Sequence, residues 1–320
     1  MSKKQKHYKA IDKRLITEGA NIDFTLYETN DNKTQMTLFL QSDSVVDGDK
    51  KVYLREIEHL YVDEEEYDRY QSYAQAHLQS IANNDEIPFG DKADIVYKQA
   101  ATVMDELFKN PDSLENMQKS QMIVDGFVGL ALQDEATLES IMKIAAHDYY
   151  THTHSINVSI YSLSLAKFLG LKDKDLQDMG MSSMMHDLGK SKVDAAIINK
   201  NGKLTDAEFT EMKNHPQRGY DIALKMGLSD KRILSGIRDH HEKLDGGGYP
   251  RGLKDKEISL FARIIAVADV FDALTTKRSY KDAMSSFQAI SIIKNQMDTH
   301  LDMRLVNALV KMCAVPAKEE

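Results

Sequence analysis

Apolar and polar residues alternate with a period of two near the beginning of the chain. The alternating runs cover residues 21–28, 35–41 and 51–61, and clusters of Asn, Asp and Gly separate them. Alternation is typical of half-buried strands, and such clusters favour turns. The pattern predicts a small β-rich, α+β N-terminal domain over residues 1–83, which ends in a polar helix from about residue 64.

Beyond the polar segment 84–90, apolar residues recur with helical spacing. The predicted helices lie near residues 92–109, 113–132, 134–146, 149–170, 173–188, 206–213, 217–227, 229–241, 258–275, 285–297 and 301–313. Proline is absent between Pro111 and Pro216, which suits uninterrupted helices. The chain is therefore predicted to be mainly α, with a linker and connecting helices over 84–145 and an all-helical domain over 146–320.

The connecting helices carry apolar side chains that suit either a helical bundle or the face of a homodimer. These side chains are Met104, Leu107, Leu114, Met117, Met122, Ile123 and Val124. Residues 1–83 show no ligand cluster and no phosphate-binding loop. Our hypothesis is that this first domain regulates or localises the second.

Composition narrows the class of protein. The chain has 320 residues, 42% of them hydrophobic, a formal net charge of −9 and a pI near 5.7. Excess negative charge argues against a nucleic-acid polymer or an anionic membrane as the main partner. The single cysteine, Cys313, excludes an internal disulfide and a multi-cysteine zinc site. No signal-like segment and no membrane-length apolar run is present, so we expect no membrane insertion and a reducing, cytoplasmic location.

The segment 240–250 reads HHEKLDGGGYP and concentrates chemically active residues. Neutral imidazoles, as at His240 and His241, bind borderline divalent metals. Three consecutive glycines allow a tight turn or a close approach to a ligand. This composition indicates a site for both a metal and a ligand.

A second cluster follows an apolar helix, where His186 and Asp187 are adjacent and Lys190 comes three residues later. A histidine and an aspartate at a helix end can reach one metal centre, and the two carboxylate oxygens can bridge two ions. If the helix continues through Gly189, all three side chains share a face. A simple hydrogen-bonded His-Asp pair is the alternative.

Three further positions extend the pattern. His154 lies among apolar helical neighbours, where a core histidine is the alternative to a ligand. His215 precedes Pro216 and should be held at a helix junction, with a surface loop as the alternative. Asp269 and Asp272 lie three apart inside an apolar helix, and buried carboxylates are costly unless they are paired, hydrogen-bonded or metal-bound.

Together these motifs resemble those of the HD-GYP family of cyclic di-GMP phosphodiesterases, a branch of the HD metallohydrolases. Residues 186–190 (HDLGK) are similar to the family's HD(I/L)GK motif, residues 240–250 to HHExxDGxGYP, and residues 269–280 to DxFDALxxxRxY. The resemblance covers roughly residues 146–315. It implies an all-helical HD-type catalytic domain.

The resemblance also implies a role for each matching residue. The implied metal ligands are His154, His186, Asp187, His215, His240, His241 and Asp269. The implied nucleotide contacts are Lys190, Tyr249, Arg278 and Lys281. Asp187 and Lys190 are the implied catalytic pair, with Asp187 shared by two metals, and the implied structural residues are Asp272, Gly246, Gly247 and Gly248.

One position departs from part of the family. Some members carry a glutamate four residues before the first ligand histidine, where this chain has Tyr150. A neutral phenol is a poor ligand for a hard cation, so two divalent ions are expected rather than three, although His152 and Asp148 lie near enough in sequence to compensate. The resemblance favours iron or manganese. The departure leaves open whether the product is pGpG or GMP.

The ligand set implies a mechanism in which two ions share Asp187, activate a bridging hydroxide and clamp the phosphodiester. The predicted function is therefore a cyclic di-GMP phosphodiesterase. Two alternatives remain: a non-catalytic cyclic-dinucleotide receptor, and a phosphodiesterase for another cyclic dinucleotide such as a mixed GMP-AMP ring.

Overall fold

The computed structural model describes residues 6–29, 35–85, 87–133, 151–276 and 283–313. The side chains of residues 151 and 152 are not among those described. The chain divides into two compact units, Met1–Ile81 and Ala82–Glu320. The assignment of regulatory, connecting and catalytic roles to 1–83, 84–145 and 146–320 stays a prediction.

The first unit contains two small antiparallel sheets. Its strands are β1 (Tyr8–Ile11), β2 (Asn21–Ile22), β3 (Leu26–Thr29), β4 (Met36–Leu40), β5 (Ser44–Val45) and β6 (Leu60–Asp63). The larger sheet has the order β1-β6-β3-β4, and β2 pairs with β5. Helix α2 (Tyr67–Ala82) carries Tyr70 and Tyr73, whose rings pack edge-on against the buried Phe24. The predicted β-rich domain with a closing helix is confirmed.

The predicted strand over 51–61 is wrong for most of its length. Helix α1 (Gly48–Glu56) occupies it, and β6 begins only at Leu60. Asp47 caps α1 by accepting a hydrogen bond from the backbone N–H of Lys50 at 2.9 Å. Leu54 is the buried residue of this helix, so the apolar alternation there does not mark a buried sheet face.

The second unit is helical. Its helices are α3 (Phe89–Lys109), α4 (Leu114–Ala131), α5 (Thr151–Phe168), α6 (Asp173–Met184), α7 (Ala195–Ile198), α8 (Asp206–Met212), α9 (His215–Lys225), α10 (Lys231–Asp239), α11 (Leu260–Thr275), α12 (Ser286–Gln296) and α13 (Met303–Cys313). The prediction of a mainly α protein with a small sheet at its beginning is confirmed. The helix predicted over 134–146 lies outside the described residues.

One helix boundary differs from prediction in a way that shapes the site. Helix α6 ends at Met184 instead of continuing to 188, and a short 3-10 helix, Leu188–Lys192, follows it. His186 and Asp187 therefore lie on a turn between two helices. The condition under which His186, Asp187 and Lys190 would share one α-helical face, a helix continuing through Gly189, is therefore not met.

Helix α5 lies in the core of this unit. Each side chain from Thr153 to Ala166 is buried, and the helix packs against α3, α4, α6 and α11. Polar side chains in such a helix need partners inside the protein. Its buried histidine and asparagine, His154 and Asn157, are therefore candidates for a functional role.

The seven apolar residues of the connecting helices divide into two groups. Met104, Leu107, Met117, Ile123 and Val124 are buried in the unit. Leu114 and Met122 are exposed. Core packing accounts for the five, and a dimer face stays a prediction. No helix among the described residues has both the length and the apolar character needed to cross a bilayer.

Candidate metal centre

The seven predicted metal ligands converge in the second unit. They form two groups in which the ligand atoms lie within 4.8 Å of one another. The first group is Asp187, His215, His240 and His241, and the second is His154, His186 and Asp269. The residues come from α5, α9, α11 and the turns after α6 and α10, so packing of distant segments creates the cluster.

Asp187 lies between the two groups. Its Oδ1 is 3.2 Å from Nε2 of His215. Its Oδ2 is 3.5 Å from Nε2 of His154 and 3.4 Å from Nε2 of His186. One carboxylate therefore presents one oxygen to each group, which is the arrangement that allows it to be shared by two ions.

Two buried polar atoms in the cluster support binding of a metal. Nε2 of His186 and Oδ1 of Asp187 make no hydrogen bond among the described residues, although His215 lies close to the latter. Buried polar atoms without a partner are rare, because each costs about 1–3 kcal/mol. Imidazole nitrogen and carboxylate oxygen are donors that suit a divalent transition metal. The side chains present therefore fit a metal ion.

Hydrogen bonds orient the imidazoles toward the centre. His186, His215 and His240 each direct Nδ1 at the backbone carbonyl three residues earlier, at 2.7, 2.8 and 2.8 Å. His154 directs Nδ1 at Oδ2 of Asp272, at 2.6 Å. Because Nδ1 carries the proton in these bonds, Nε2 keeps its lone pair for a metal.

The environment favours the protonation states that metal ligands need. Burial, and for His240 and His241 also neighbouring imidazoles, lowers the pKa of His186, holds that of His240 well below its usual value and lowers that of His241 to about 3. Burial acts to raise the pKa of Asp187 and Asp269. Neighbouring cations and imidazole contacts outweigh it and hold both well below their usual values. The site therefore combines neutral imidazoles with ionised carboxylates.

Gly189 permits the close approach that brings His215 to Asp187. A Cβ at this position would overlap the backbone oxygen of His215 and lie 2.5 Å from the backbone nitrogen of Gly219. These are backbone atoms at the beginning of α9, which cannot rotate away. Glycine is needed here because two backbones touch, which is a packing reason for its place in the HDLGK motif.

The glycine-rich segment forms a pinned loop beside the cluster. The buried carboxylate of Glu242 accepts hydrogen bonds from the backbone N–H of Arg251 at 2.6 Å and of Leu253 at 2.9 Å. Gly246 has a φ of 85°, in the left-handed region, and a Cβ at Gly248 would collide with the backbone of Glu242. Gly247 donates its N–H to Asp245 at 2.7 Å. The glycines and Glu242 together shape this turn.

Tyr249 closes one side of the cluster. Its ring centroid is 4.8 Å from that of His241, and the exposed Phe209 of α8 approaches it edge-on at 6.5 Å. Lys190 places Nζ 2.5 Å from Oδ2 of Asp187. Cationic and aromatic groups therefore border the candidate metal centre.

The predicted nucleotide contacts Arg278 and Lys281, and the position Tyr150 on which the metal count depends, lie outside the described residues. Their roles stay predictions.

Sequence reasoning missed three residues at or beside the site, Glu242, Asn157 and Phe209. Glu242 was read only as part of a motif, and Asn157 was not considered. Asn157 donates Nδ2–H to Oδ1 of Asp272 at 3.0 Å. The sequence could have identified Asn157, because it is a polar residue within an apolar helix, one turn after His154. Phe209 had no such signal, since an exposed aromatic residue on a short helix is common.

Comparisons with known proteins identify the family of this chain. The family model described as HD domain matches residues 130–305, which is more than half of the chain. The chain belongs to the HD domain family.

Its relatives include several phosphodiesterases. It is 36% identical over 193 residues to a cyclic di-GMP phosphodiesterase of Pseudomonas aeruginosa, covering 60% of this chain and 46% of that protein. It is 36% identical over 221 residues to a 3'3'-cGAMP-specific phosphodiesterase of Vibrio cholerae, covering 65% and 47%. It is 40% identical over 150 residues to the cyclic di-GMP phosphodiesterase response regulator RpfG of Xanthomonas campestris, covering 46% and 39%. The chain spans about half of the length of these relatives, or less.

A solved structure shows the same fold. Bd1817, an HDG"Y"P protein from Bdellovibrio bacteriovorus, matches with a TM-score of 0.65 at 19% identity and covers 97% of this chain and 100% of its own. These matches confirm the resemblance that the motifs predicted.

Proposed function

We propose that this chain is a metal-dependent phosphodiesterase that hydrolyses cyclic di-GMP to pGpG, GMP or both, and that it holds two divalent ions, iron or manganese. The observation that carries the proposal is the position of Asp187, whose two oxygens face two separate groups of ligands. The names of the relatives support the cyclic-dinucleotide class of substrate.

Ions bound by these two groups would supply hydroxide near neutral pH and stabilise negative charge on the phosphate. The chain's own residues would do the rest. Lys190 is one-fifth exposed at the cluster, so its ammonium can meet a phosphate oxygen. Tyr249 offers a ring or a hydroxyl to the nucleotide. The oriented imidazoles reduce reorganisation on binding, because hydrogen bonds already hold them.

A different cyclic dinucleotide is the second candidate. The Vibrio cholerae relative named as specific for 3'3'-cGAMP is as similar to this chain, at 36% identity, as the first cyclic di-GMP enzyme. Metal chemistry at the phosphate is the same for either ring, so the side chains around the bases decide between them. A receptor without turnover is the remaining alternative.

The test measures metal content and products together. Protein loaded anaerobically with iron or manganese is incubated separately with cyclic di-GMP and 3'3'-cGAMP, and products are separated by chromatography. We expect two ions per chain, release of pGpG or GMP, and loss of both bound metal and activity in Asp187→Ala. The matched control is Asp178→Ala, which removes a buried carboxylate of α6 that pairs with Arg232 outside the cluster.

The outcomes separate the candidates. Faster cleavage of the mixed ring would favour the second candidate. Tight binding without turnover of either ring under any metal would favour a receptor. Absence of both binding and hydrolysis would contradict the proposal.

A further inference from the structure

A chain of buried hydrogen bonds runs from helix α3 to the metal centre. The hydroxyl of Tyr97 on α3 donates to Oδ1 of Asn157 on α5 at 2.9 Å. Asn157 in turn donates Nδ2–H to Oδ1 of Asp272 at 3.0 Å. Oδ2 of Asp272 accepts from Nδ1 of His154 at 2.6 Å. The chain therefore ends on an imidazole whose Nε2 faces the second group of candidate ligands.

The side chains in this hydrogen-bonded series are almost fully buried. Tyr97 is 5% exposed, Asn157 is 1% exposed and Asp272 is fully buried. In such surroundings a misdirected polar group loses its hydrogen bond without gaining one from water, so each bond constrains the next. The donor of each hydrogen bond in the series can be identified, so the direction of donation is defined at every step.

The orientation of the Asn157 amide follows from its two neighbours. Oδ1 of Asp272 is the acceptor in this contact, so the NH₂ end of the amide faces it. The carbonyl end then faces Tyr97, whose hydroxyl donates to it. Thr276 donates to the same Asp272 oxygen as Asn157, at 2.8 Å. Oδ2 is thereby directed to His154.

We propose that Tyr97 and Asn157 are positioning residues for the metal ligand His154. Tyr97 sets the Asn157 amide, Asn157 sets the carboxylate of Asp272, and that carboxylate holds His154 in the tautomer whose Nε2 can bind metal. The inference rests on the proposed metal site. It extends that site to α3, which precedes the stretch 130–305 matched by the HD domain model.

Tyr97 lies on a helix that precedes the matched domain. Residues from α5 and α11 belong to the matched domain, whereas α3 does not. A segment before the HD domain thus supplies a side chain to the support of the metal centre. Replacing or deleting that segment would remove a hydrogen bond from the series of side chains that holds His154.

The experiment is a Mn²⁺ titration of the full-length protein against a competing chelator, with Tyr97→Phe and Asn157→Ala as test variants. Loss of a residue that supports a metal ligand typically weakens binding by about 10–100-fold, and we expect this for Asn157→Ala. A smaller loss, of roughly threefold to tenfold, is expected for Tyr97→Phe, because that variant removes the hydrogen bond farthest from His154 in the series.

The matched control is Tyr161→Phe. Tyr161 is also a deeply buried phenol on α5, and its ring packs edge-on against Phe271 with centroids 5.3 Å apart. It is not a member of the hydrogen-bonded series from Tyr97 to His154. It should leave Mn²⁺ affinity unchanged. Thermal unfolding in EDTA compares the stability of all variants, so a general loss of packing is recognised by an equal loss in Tyr97→Phe and Tyr161→Phe.

A selective effect distinguishes positioning from structural damage. Weakening should be confined to one of the two Mn²⁺ ions, because His154 belongs to only one group. Equal Mn²⁺ affinities for wild type, Tyr97→Phe and Asn157→Ala would overturn the inference while leaving the proposed function intact. Equal weakening of both ions in the variants and in Tyr161→Phe would overturn it as well. A wild-type protein that binds neither Mn²⁺ nor, in an anaerobic titration, Fe²⁺ would overturn both proposals.

Discussion

Replacing Gly189 by alanine tests the packing that brings the two halves of the first ligand group together. The added Cβ would lie 2.5 Å from the backbone nitrogen of Gly219 and closer still to the backbone oxygen of His215. A relaxed contact between such atoms needs about 3.5 Å, so the backbones must separate by more than about 1 Å. His215 is 3.2 Å from Asp187 across this contact.

The substitution should lower both the stability of the protein and its affinity for metal. Overpacking costs about 1–3 kcal/mol, and the upper end applies because both opposing groups are backbone. At about 2–4 °C per kcal/mol for a unit of this size, the melting temperature should fall by roughly 6–12 °C. Metal sites tolerate errors of only about 0.2 Å, so the displacement of His215 should also abolish tight binding to the first group.

The assay combines thermal unfolding by circular dichroism in EDTA with a Mn²⁺ titration. The matched control is Gly90→Ala, since Gly90 lies on α3 and a Cβ there meets no atom within 4 Å. That control should unfold at the wild-type temperature or slightly above it, because alanine favours helix. If Gly189→Ala behaves like Gly90→Ala in both measurements, the close backbone contact does not determine the site.

Two further predictions follow from burial. Glu242→Ala removes a buried carboxylate that accepts two part-buried backbone N–H groups, so the free energy of unfolding should fall by about 2–5 kcal/mol in urea titrations. Glu257→Ala, which removes an exposed acceptor, should change it by no more than about 0.5 kcal/mol. Equal losses would contradict the role of burial. Folding lowers the pKa of His186, His240 and His241, so below about pH 6.5 the unfolded chain binds more protons than the folded one. The free energy of unfolding in EDTA should therefore decrease as pH falls, by about 1.4 kcal/mol per pH unit for each imidazole. A urea midpoint that does not change between pH 6.5 and 5 would refute this prediction.

The amino-acid sequence alone determined the chemistry and the class of fold. Helical periodicity predicted most of the helices in the second unit, since amphipathic spacing records which face of a helix is buried. The seven candidate ligands could also be identified from the sequence, because histidines and aspartates in apolar surroundings are costly without a partner. Local patterning failed at 51–61, where Asp47 caps a helix in which the neighbouring Val52 and Tyr53 are exposed and Leu54 is buried.

Tertiary structure decided how those residues cooperate. The two oxygens of Asp187 could be assigned to separate groups only after α5, α9 and the turn after α6 were placed in space. The hydrogen bond from Tyr97 could not be predicted from the sequence, because Tyr97 lies 60 positions from the asparagine that it contacts. Sequence patterns report whether a residue is buried, whereas packing between distant segments determines which partner it meets there.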